Sequence, residues 1–369
     1  MLHGSFLRWL FLLVFAGLFL FWQLALPPNA FEKSFTERFF SPPGVEVLVI
    51  DVDFLEKFDA GKSTLQDAEN ILVSISHAAV AVNSSSKRSF AVHLNDSTKD
   101  YFMFLMPNNE QRAILRYNTR PVPNLPGLLI PEDIKGFINA WNRSPFIECL
   151  GMDMKRASQG RTMPFDFVQN IVKTRDFLVR HGTNPFIFEG TLLGWYRECS
   201  LIPSTYDADL GILAEEHSTQ LLNALQSQKE LNLMRTLGRI NDSFEFAVSF
   251  GSLYIDVYYM YTEPASNLSY VTGLDGTSLE KFKYFYPRVL NICSGDLLGH
   301  LFWVPCNVED ILTMEYGDWR RDKPQDEYKW NSSPRNMKAD GKWTVEEMKE
   351  VNCYFKGSRK KCGVGAHVI

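Results

Sequence analysis

An apolar run at the N-terminus constrains this chain more than any other feature of its sequence. The run extends from Trp9 to Leu26, is interrupted only by Gln23, follows Arg8 and ends at Pro27. A helix of this length is roughly 27 Å long, which matches the hydrocarbon thickness of a bilayer. We therefore predict a membrane-spanning helix at residues 9–26, with residues 1–8 in the cytoplasm and the remainder in the lumen, because positive charge favours the cytoplasmic side.

A cleaved signal peptide is the alternative interpretation of this run, but its apolar region is usually shorter. The tripeptide Pro28-Asn29-Ala30 is also a poor match to a small-x-small cleavage site. N-glycosylation sequons are compatible with a secretory-pathway lumen. Six occur, at Asn83, Asn95, Asn142, Asn241, Asn267 and Asn331.

The cysteines permit disulfides in such a compartment. The chain contains six, and none forms a CxxC pair that would indicate a structural zinc site. Spacing alone does not decide how they pair. They are Cys149, Cys199, Cys293, Cys306, Cys353 and Cys362.

Composition indicates a folded chain and argues against a nucleic-acid partner. Of 369 residues, 45% are hydrophobic and 22% are charged, which is enough for one large domain or two smaller ones. The formal net charge of -5 provides no cationic field for a phosphate backbone, and no zinc-finger spacing is present.

Beyond the apolar run, residues 27–44 combine proline, phenylalanine and charge without a sustained period, so we interpret them as a stem. We predict that residues 45–150 form a smaller N-terminal luminal α/β region. It contains a strand at Val45–Val52, a helix at Leu65–Val82 and a strand at Tyr101–Met106.

Residues 151–369 alternate strand and helix patterns, which is typical of an α/β domain. Pro164 is placed to open a helix and Gly182 to end it. Further predicted elements follow in alternation. They are a strand at Phe186–Phe188, a helix from Gly190 to Arg197, a strand at Ala208–Leu213, a helix at His217–Leu225, and strands at Phe244–Phe250 and Leu253–Tyr261.

Three aspartates are the candidate metal ligands and catalytic residues of this domain. Asp207 and Asp209 stand two apart in a strand pattern, which places both carboxylates on one face while Ala208 faces the core. Asp256 interrupts a second apolar strand, so its side chain is also expected to point away from the core. If the two strands are neighbours, the three carboxylates converge.

Converging carboxylates are costly unless a cation neutralises them. Two like charges about 4 Å apart repel by on the order of 4 kcal/mol at an effective dielectric of about 20. Oxygen ligands suit Mg²⁺ or Mn²⁺, and these cations also bind donor phosphates. The pattern favours a nucleotidyltransferase-type site, in which a carboxylate accepts the proton of the acceptor hydroxyl. An isolated DxD is more often a solvated turn, and a salt bridge to arginine or lysine would satisfy Asp256 equally well.

Gly190, Thr191 and Arg197 are the candidate residues for binding donor phosphates. A glycine before a short helix lets backbone NH groups approach phosphate oxygens closely, and the threonine hydroxyl adds a donor. The planar fork of Arg197 suits either a phosphate or a structural carboxylate, and both interpretations stay open.

The stretch GTLLGWYRECSLIPSTYDADLGI, Gly190 to Ile212, resembles the fukutin family closely and the LicD-type phosphocholine transferases more distantly. Further matching segments occur in the same order on both sides of it. They are LIPED at Leu129–Asp133, SPFIEC at Ser144–Cys149, YIDVYYMY at Tyr254–Tyr261, KFKYFYP at Lys281–Pro287, VPC at Val304–Cys306, EYGDW at Glu315–Trp319 and KWNSSPRNMKADGKW at Lys329–Trp343.

The resemblance implies a catalytic domain of the nucleotidyltransferase fold, polymerase-β-like and of LicD type, in a single-pass type II Golgi membrane protein. It implies a metal-dependent phosphotransferase that moves ribitol 5-phosphate, or a related phospho-polyol or phospho-sugar, from a CDP-linked donor to an O-mannosyl-type glycan of a glycoprotein. Matching positions assign Mg²⁺ or Mn²⁺ to Asp207, Asp209 and Asp256. Gly190 and Thr191 are assigned to the donor phosphates.

Lys281 and Lys283 match the KFK segment of the family and are further candidates for phosphate binding, with solvated surface lysines as the alternative. Two departures from the family pattern leave, respectively, the number of metal ions open and the donor less defined than the fold. Thr205 and Tyr206 stand where LicD members carry further carboxylates, and Tyr206 replaces a basic residue expected in the fukutin family.

The sequence leaves two other functions open. One is a DxD sugar-nucleotide glycosyltransferase, and the other is an inactive scaffold or chaperone subunit of a Golgi glycosylation complex. Residence in the endoplasmic reticulum, and homo- or hetero-oligomers with other Golgi glycosylation proteins, also stay open.

Overall fold

The structure is a computed structural model that describes residues 46–62, 71–76, 91–122, 127–156, 161–227, 230–323, 327–357 and 359–366. These residues form two compact units, divided in sequence between Phe146 and Ile147. The predicted cytoplasmic tail, membrane-spanning helix and stem, residues 1–44, lie outside the described residues. Among the described residues, no helix combines the length and apolar composition that crossing a bilayer requires.

The N-terminal unit is a mixed sheet accompanied by helices. Its helices are α1 (Val52–Asp59) and α2 (Ile134–Asn142). Its strands are β1 (Val47–Val49), β2 (Val73–Ser76), β3 (Ala91–Leu94), β4 (Tyr101–Leu105), β5 (Gln111–Leu115), β6 (Thr119–Pro121) and β7 (Leu128–Pro131). They are ordered β5-β4-β3-β2-β1-β7-β6 in one sheet.

A side-chain cap sets the boundary between the first strand and the first helix. The Asp51 carboxylate accepts hydrogen bonds from the backbone NH of Phe54 at 2.9 Å and of Leu72 at 3.0 Å. The first is an N-cap contact, which satisfies a donor that the helix itself leaves unpaired. The strand predicted at Val45–Val52 is therefore shorter, because α1 begins at Val52.

The helix predicted at Leu65–Val82 is wrong at Val73–Ser76, which is strand β2. This strand pairs with β1 in antiparallel register, Val49 opposite Val73. Its β-branched residues Val73 and Ile75 are buried in the core of the unit. Packing on a pleated surface has overridden the helical spacing here. The other parts of the predicted helix lie mostly outside the described residues.

The second unit combines strands and helices, so the predicted α/β class is confirmed, although the predicted alternation holds only as far as residue 237 and is followed by a run of strands. Its helices are α3 (Val168–Arg180), α4 (Glu189–Glu198), α5 (Thr219–Ser227), α6 (Val308–Tyr316) and α7 (Met348–Val351), with short 3₁₀ turns at Phe165–Phe167 and Ala214–Glu216. Its strands are β8 (Phe186–Ile187), β9 (Asp207–Leu213), β10 (Asn232–Leu237), β11 (Glu245–Phe250), β12 (Leu253–Glu263), β13 (Leu268–Leu274), β14 (Glu280–Tyr286), β15 (Ile292–Leu297), β16 (His300–Pro305), β17 (Met337–Lys342), β18 (Asn352–Lys356) and β19 (Arg359–Cys362).

These strands form one twelve-stranded sheet with the order β15-β16-β8-β9-β12-β11-β10-β18-β19 along its main path. Strands β13, β14 and β17 continue from the far end of β12. The central strands β9 and β12 are parallel, whereas β8 and β11 run antiparallel to them. Residues that alternate along β9 and β12 therefore share one face of the sheet.

Helix α4 is fixed at its C-terminal end. Cys199 follows the helix in the left-handed conformation, with φ of +54°, and forms a disulfide with Cys149. The segment after Cys149 also supplies donors to the last helical carbonyls: the backbone NH of Leu150 donates to Tyr196 O at 2.8 Å, and that of Met152 to Arg197 O at 2.7 Å. These contacts satisfy carbonyl groups that the helix end leaves without partners.

The remaining cysteines form two local disulfides. Cys293 pairs with Cys306, near the open end of the β15–β16 hairpin. Cys353 pairs with Cys362 across β18 and β19, where the two residues are directly opposite. All six cysteines are thus oxidised, which is typical of proteins in the secretory pathway.

Candidate active site

The parallel pairing of β9 and β12 brings the three predicted aspartates together. Asp209 is directly opposite Asp256 in the register, and Asp207 is opposite Tyr254. One carboxylate oxygen from each of the three aspartates lies within 4.8 Å of the others. Asp209 and Asp256 are buried, whereas Asp207 is partly exposed. The predicted convergence of the three carboxylates is therefore present.

The same face of the sheet continues across the next two strands. Ala247 of β11 is opposite Asp256, and Arg235 of β10 is opposite Ala247. Directly opposite residues project from the same side of a sheet, so the row from Asp209 to Arg235 shares one surface. This surface forms the floor of a cavity of about 750 Å³, a size typical of small-molecule sites.

The floor of the cavity places like charges at buried positions. Burial, followed by the charges of Asp207 and Asp256, raises the pKa of Asp209 well above its usual range. Burial also raises the pKa of Asp256 to about 7, although Arg235 opposes the shift, while Glu245 and Asp207 add to it. Negative charge on these groups is therefore unfavourable without a compensating cation.

The residues present fit a hard divalent cation. Three carboxylates offer closely spaced oxygen ligands, and the site opens into a cavity large enough for additional water or phosphate oxygens. Mg²⁺ and Mn²⁺ both suit such a donor set, which does not discriminate between them.

Gly190 and Thr191 both lie beside Asp209. The backbone NH of Asp209 donates to the Thr191 hydroxyl at 2.7 Å, and Thr191 is buried. A Cβ atom on Gly190 would lie 3.2 Å from Asp209 Oδ2. Gly190 lines the cavity, as a phosphate-binding glycine would, whereas the observed contact of Thr191 positions the Asp209 backbone.

Arg197 lines the cavity but is committed to structural partners. Its guanidinium donates to Glu198 at 2.6 Å and to Asp322 at 3.2 Å, and its side chain is 2% exposed. Arg156 binds the same two carboxylates. Of the two interpretations left open for Arg197, the geometry favours the structural carboxylate.

Lys281 and Lys283 do not line the acidic cavity. Their ammonium groups lie 3.7 Å from the carboxylate of Asp340 on β17. Tyr284, the next residue along β14, does line the cavity. Because successive strand residues face opposite sides, the lysines point away from it, and the geometry gives no support to their proposed contact with donor phosphates.

The structure adds carboxylates that sequence reasoning missed. Glu189 opens helix α4 with φ of +42°, a strained conformation for a residue with a side chain, and lines the cavity. Burial, followed by the charges of Glu315 and Asp209, raises the pKa of Glu189 well above its usual range. No periodic pattern distinguishes this glutamate in the sequence.

Glu245 and Glu315 are the other buried acids of the cavity. Glu245 projects from β11 and accepts from Arg235 Nη2 at 3.3 Å. Its sequence signal resembles that of Asp256, an acid within an apolar strand. Glu315, on α6, accepts hydrogen bonds from the hydroxyls of Tyr286 at 3.2 Å and Tyr328 at 3.3 Å.

Comparisons with known proteins agree with the division of the chain into two units. Residues 182–307 match the LicD/FKTN/FKRP nucleotidyltransferase domain, and residues 34–148 match the W02B3.4-like N-terminal domain. The Caenorhabditis elegans protein W02B3.4 is 35% identical over 85% of this chain and 82% of its own length. T07A5.1 of the same organism is 30% identical over 92% of this chain and 97% of its own length.

Human ribitol-5-phosphate transferase FKTN is 29% identical over 61% of this chain, and the matched region is half of that protein. An acidic triad on a mixed α/β scaffold, inside a matched nucleotidyltransferase domain, indicates a transferase of LicD type. The chain belongs to the fukutin-like LicD family.

We expect Gly190→Ala to weaken Mn²⁺ binding by about tenfold or more, as when groups that orient metal ligands are disturbed. The added methyl would crowd Asp209 Oδ2. Isothermal titration calorimetry on the purified chain measures the effect. Gly276→Ala is the matched control, because Gly276 also lines the cavity but its added Cβ would have 3.7 Å to the nearest atom. Equal affinities for the two variants would contradict the prediction.

We expect the metal-free protein to lose stability as pH rises. Burial raises the pKa of Glu315 to about 7. The folded state therefore holds this proton more tightly than the unfolded state, and the resulting stabilisation is complete below the unfolded-state pKa. It is lost as pH rises through about 7. Glu315→Gln should remove part of this dependence, on the order of 3 kcal/mol between about pH 4 and pH 8. Urea denaturation with EDTA at several pH values measures it.

Glu346→Gln serves as the control for that experiment, because the Glu346 side chain is 81% exposed. It should preserve the wild-type dependence of unfolding free energy on pH. Parallel curves for Glu315→Gln and the wild type would show that the buried carboxyl is not responsible.

Proposed function

We propose that this protein is a cation-dependent transferase that moves a phosphate-linked polyol or sugar from a CDP-linked donor to a glycan of a glycoprotein. The observation that carries the proposal is the convergence of Asp207, Asp209 and Asp256 on the floor of one cavity. Ribitol 5-phosphate is the transferred group favoured by the similarity to ribitol-5-phosphate transferase FKTN.

In this proposal the three aspartates hold Mg²⁺ or Mn²⁺. The bound cation would neutralise negative charge on the phosphates of the donor. Gly190 leaves room beside Asp209 for a phosphate at the start of α4, where a side chain would obstruct it. Thr205 donates its hydroxyl to the Asp207 carboxylate and so orients that ligand.

Glu189 is our candidate for the base that accepts the proton of the acceptor hydroxyl. It lies in the cavity next to Gly190, and burial among other acids raises its pKa, which makes its carboxylate a stronger base. The carboxylates of Asp207, Asp209 and Asp256 are then free to act as ligands. Hydrophobic and aromatic groups, including Trp319 and Trp330, also line the cavity and help to exclude water.

We propose a Golgi location, with the N-terminal run at residues 9–26 as a type II anchor and the catalytic unit in the lumen. The three disulfides support a luminal catalytic unit, because such bonds persist in oxidising compartments. A glycoprotein acceptor is supported by the similarity to FKTN and by the proposed position of the catalytic unit in the lumen.

We expect Asp207→Asn to lower the rate of transfer by at least about a hundredfold, which in this assay amounts to loss of activity. Losses of this size follow when stabilisation of transition-state charge is removed. The secretion and melting temperature of the variant should stay nearly unchanged, because Asp207 is partly exposed. The luminal part is incubated with CDP-linked donors, an acceptor glycoprotein and Mn²⁺ or Mg²⁺, and CMP is measured. Asp340→Asn, which alters a carboxylate outside the cavity, is the control.

The same assay separates the alternatives. Release of CMP supports phosphoryl-type transfer, whereas release of UDP or GDP from a sugar-nucleotide panel would indicate a DxD glycosyltransferase. A wild-type protein that binds neither nucleotide nor Mn²⁺ by calorimetry would indicate an inactive subunit. Full turnover by Asp207→Asn would exclude the assigned metal site.

We expect Glu189→Gln to lower kcat by about a hundredfold or more, the usual contribution of a general base. The amide retains the shape of the side chain but does not accept the proton, so the Kd values for Mn²⁺ and CDP should change little. Steady-state kinetics and calorimetry together separate these effects. The exposed Glu309 supplies the control variant Glu309→Gln. A parallel loss of Mn²⁺ affinity would instead place Glu189 among the metal-binding groups.

A further inference from the structure

The Arg235 guanidinium reaches into the acidic floor of the cavity. Arg235 Nη2 donates to Asp256 Oδ1 at 2.7 Å and to Glu245 Oε1 at 3.3 Å. It extends across β11 above Ala247, whose small side chain leaves the path open. The arginine therefore compensates two buried carboxylates, one of which belongs to the candidate metal ligands.

The hydrogen-bonding capacity of this arginine is only partly used. Both contacts come from Nη2, while Nε is buried and has no hydrogen-bond partner. An unsatisfied buried donor costs free energy, and native structures tolerate few of them. The planar fork of arginine matches two oxygens of a phosphate, and this residue lines the same cavity as Gly190.

We propose that Arg235 is a ligand of the donor phosphates, held on Asp256 until a divalent cation takes that carboxylate. The inference rests on the proposed function, because it requires a cation and a nucleotide diphosphate donor in this cavity. In the metal-free protein, Arg235 neutralises Asp256 and Glu245. When Asp256 coordinates a cation, Arg235 is repelled by that cation and turns its fork to the phosphate oxygens of the donor.

This arrangement predicts ordered binding. Without a cation, Asp256 and Glu245 hold the arginine, and the uncompensated carboxylates repel a diphosphate. With a cation bound, both the positive charge and the released guanidinium attract it. Wild-type protein should therefore bind CDP at least about tenfold more tightly with saturating Mn²⁺ than with EDTA, a coupling free energy of about 1.4 kcal/mol.

The decisive variant is Arg235→Gln, because its two expected effects have opposite signs. Mn²⁺ without nucleotide should bind about three- to tenfold more tightly, since a competing positive charge has been removed. CDP in saturating Mn²⁺ should bind about tenfold or more weakly, since a charged phosphate contact has been lost. Both affinities are measured by calorimetry on the full chain.

Arg239→Gln is the matched control, because Arg239 closely follows β10 but pairs with Glu347, and its side chain is 40% exposed. It should leave both affinities unchanged. Arg235→Lys retains the charge and provides a second test if Arg235→Gln fails to fold. The lysine variant should bind Mn²⁺ like the wild type and bind CDP more weakly, because the planar fork is absent.

A structural role alone would give a different result. Weaker or unchanged Mn²⁺ binding in Arg235→Gln would show that Arg235 does not compete with the cation for Asp256. Unchanged CDP binding in both Arg235 variants would show that Arg235 does not bind the donor phosphates. If wild-type protein binds Mn²⁺ but no CDP at all, the proposed donor is wrong. The Mn²⁺ titrations would then still test whether Arg235 competes for Asp256.

Discussion

The parallel pairing of β9 with β12 is the interaction on which the catalytic unit depends. It sets Asp209 opposite Asp256, so two carboxylates that are far apart in sequence become immediate neighbours in a buried floor. Like charges in such a position oppose folding unless protons or cations neutralise them. The apolar face of the same strands compensates, because Ala208, Leu210, Ile255 and Val257 are completely buried. Hydrophobic packing on one face thus maintains an electrostatically unfavourable arrangement on the other.

The surrounding elements restrict how that arrangement can relax. Thr191 holds the backbone of Asp209, Thr205 orients Asp207, and Arg235 neutralises Asp256 from two strands away. Each aspartate is therefore positioned by a different element, and none depends on the candidate cation alone for its geometry. The aspartates are thus held in place before a cation binds, so that in our proposal binding moves Arg235 and leaves the carboxylate positions largely unchanged.

Sequence patterns predicted the central features of this fold to different extents. Alternation in β9 and β12 was sufficient to place the three aspartates on polar strand faces, because it is a property of each strand by itself. The pairing of those strands was a condition that the local pattern could not establish. Asp256 shows the same limit: a metal ligand and a partner of arginine were alternatives in the sequence, and the structure places it both in the triad and beside Arg235.

Other features depended on contacts that have no local signature. The strand at Val73–Ser76 replaced part of a predicted helix because β1 offered it a partner. Lys281 and Lys283 matched a family segment, but they lie on the opposite side of β14 from Tyr284, which lines the cavity. The sequence segment alone did not indicate which side of the strand faces the cavity. Glu189 acquires its importance from a left-handed backbone and three-dimensional proximity to other acids.

The Cys149–Cys199 link has a consequence for where the protein can mature. It fastens the C-terminal end of α4, and the opposite end of that helix presents Gly190 to the carboxylates. Copies that stay in a reducing environment would lack this bond, and the end of α4 would be held to the segment after Cys149 by hydrogen bonds alone. Assembly of the cavity would therefore depend on an oxidising environment, such as that of the lumen proposed for this unit.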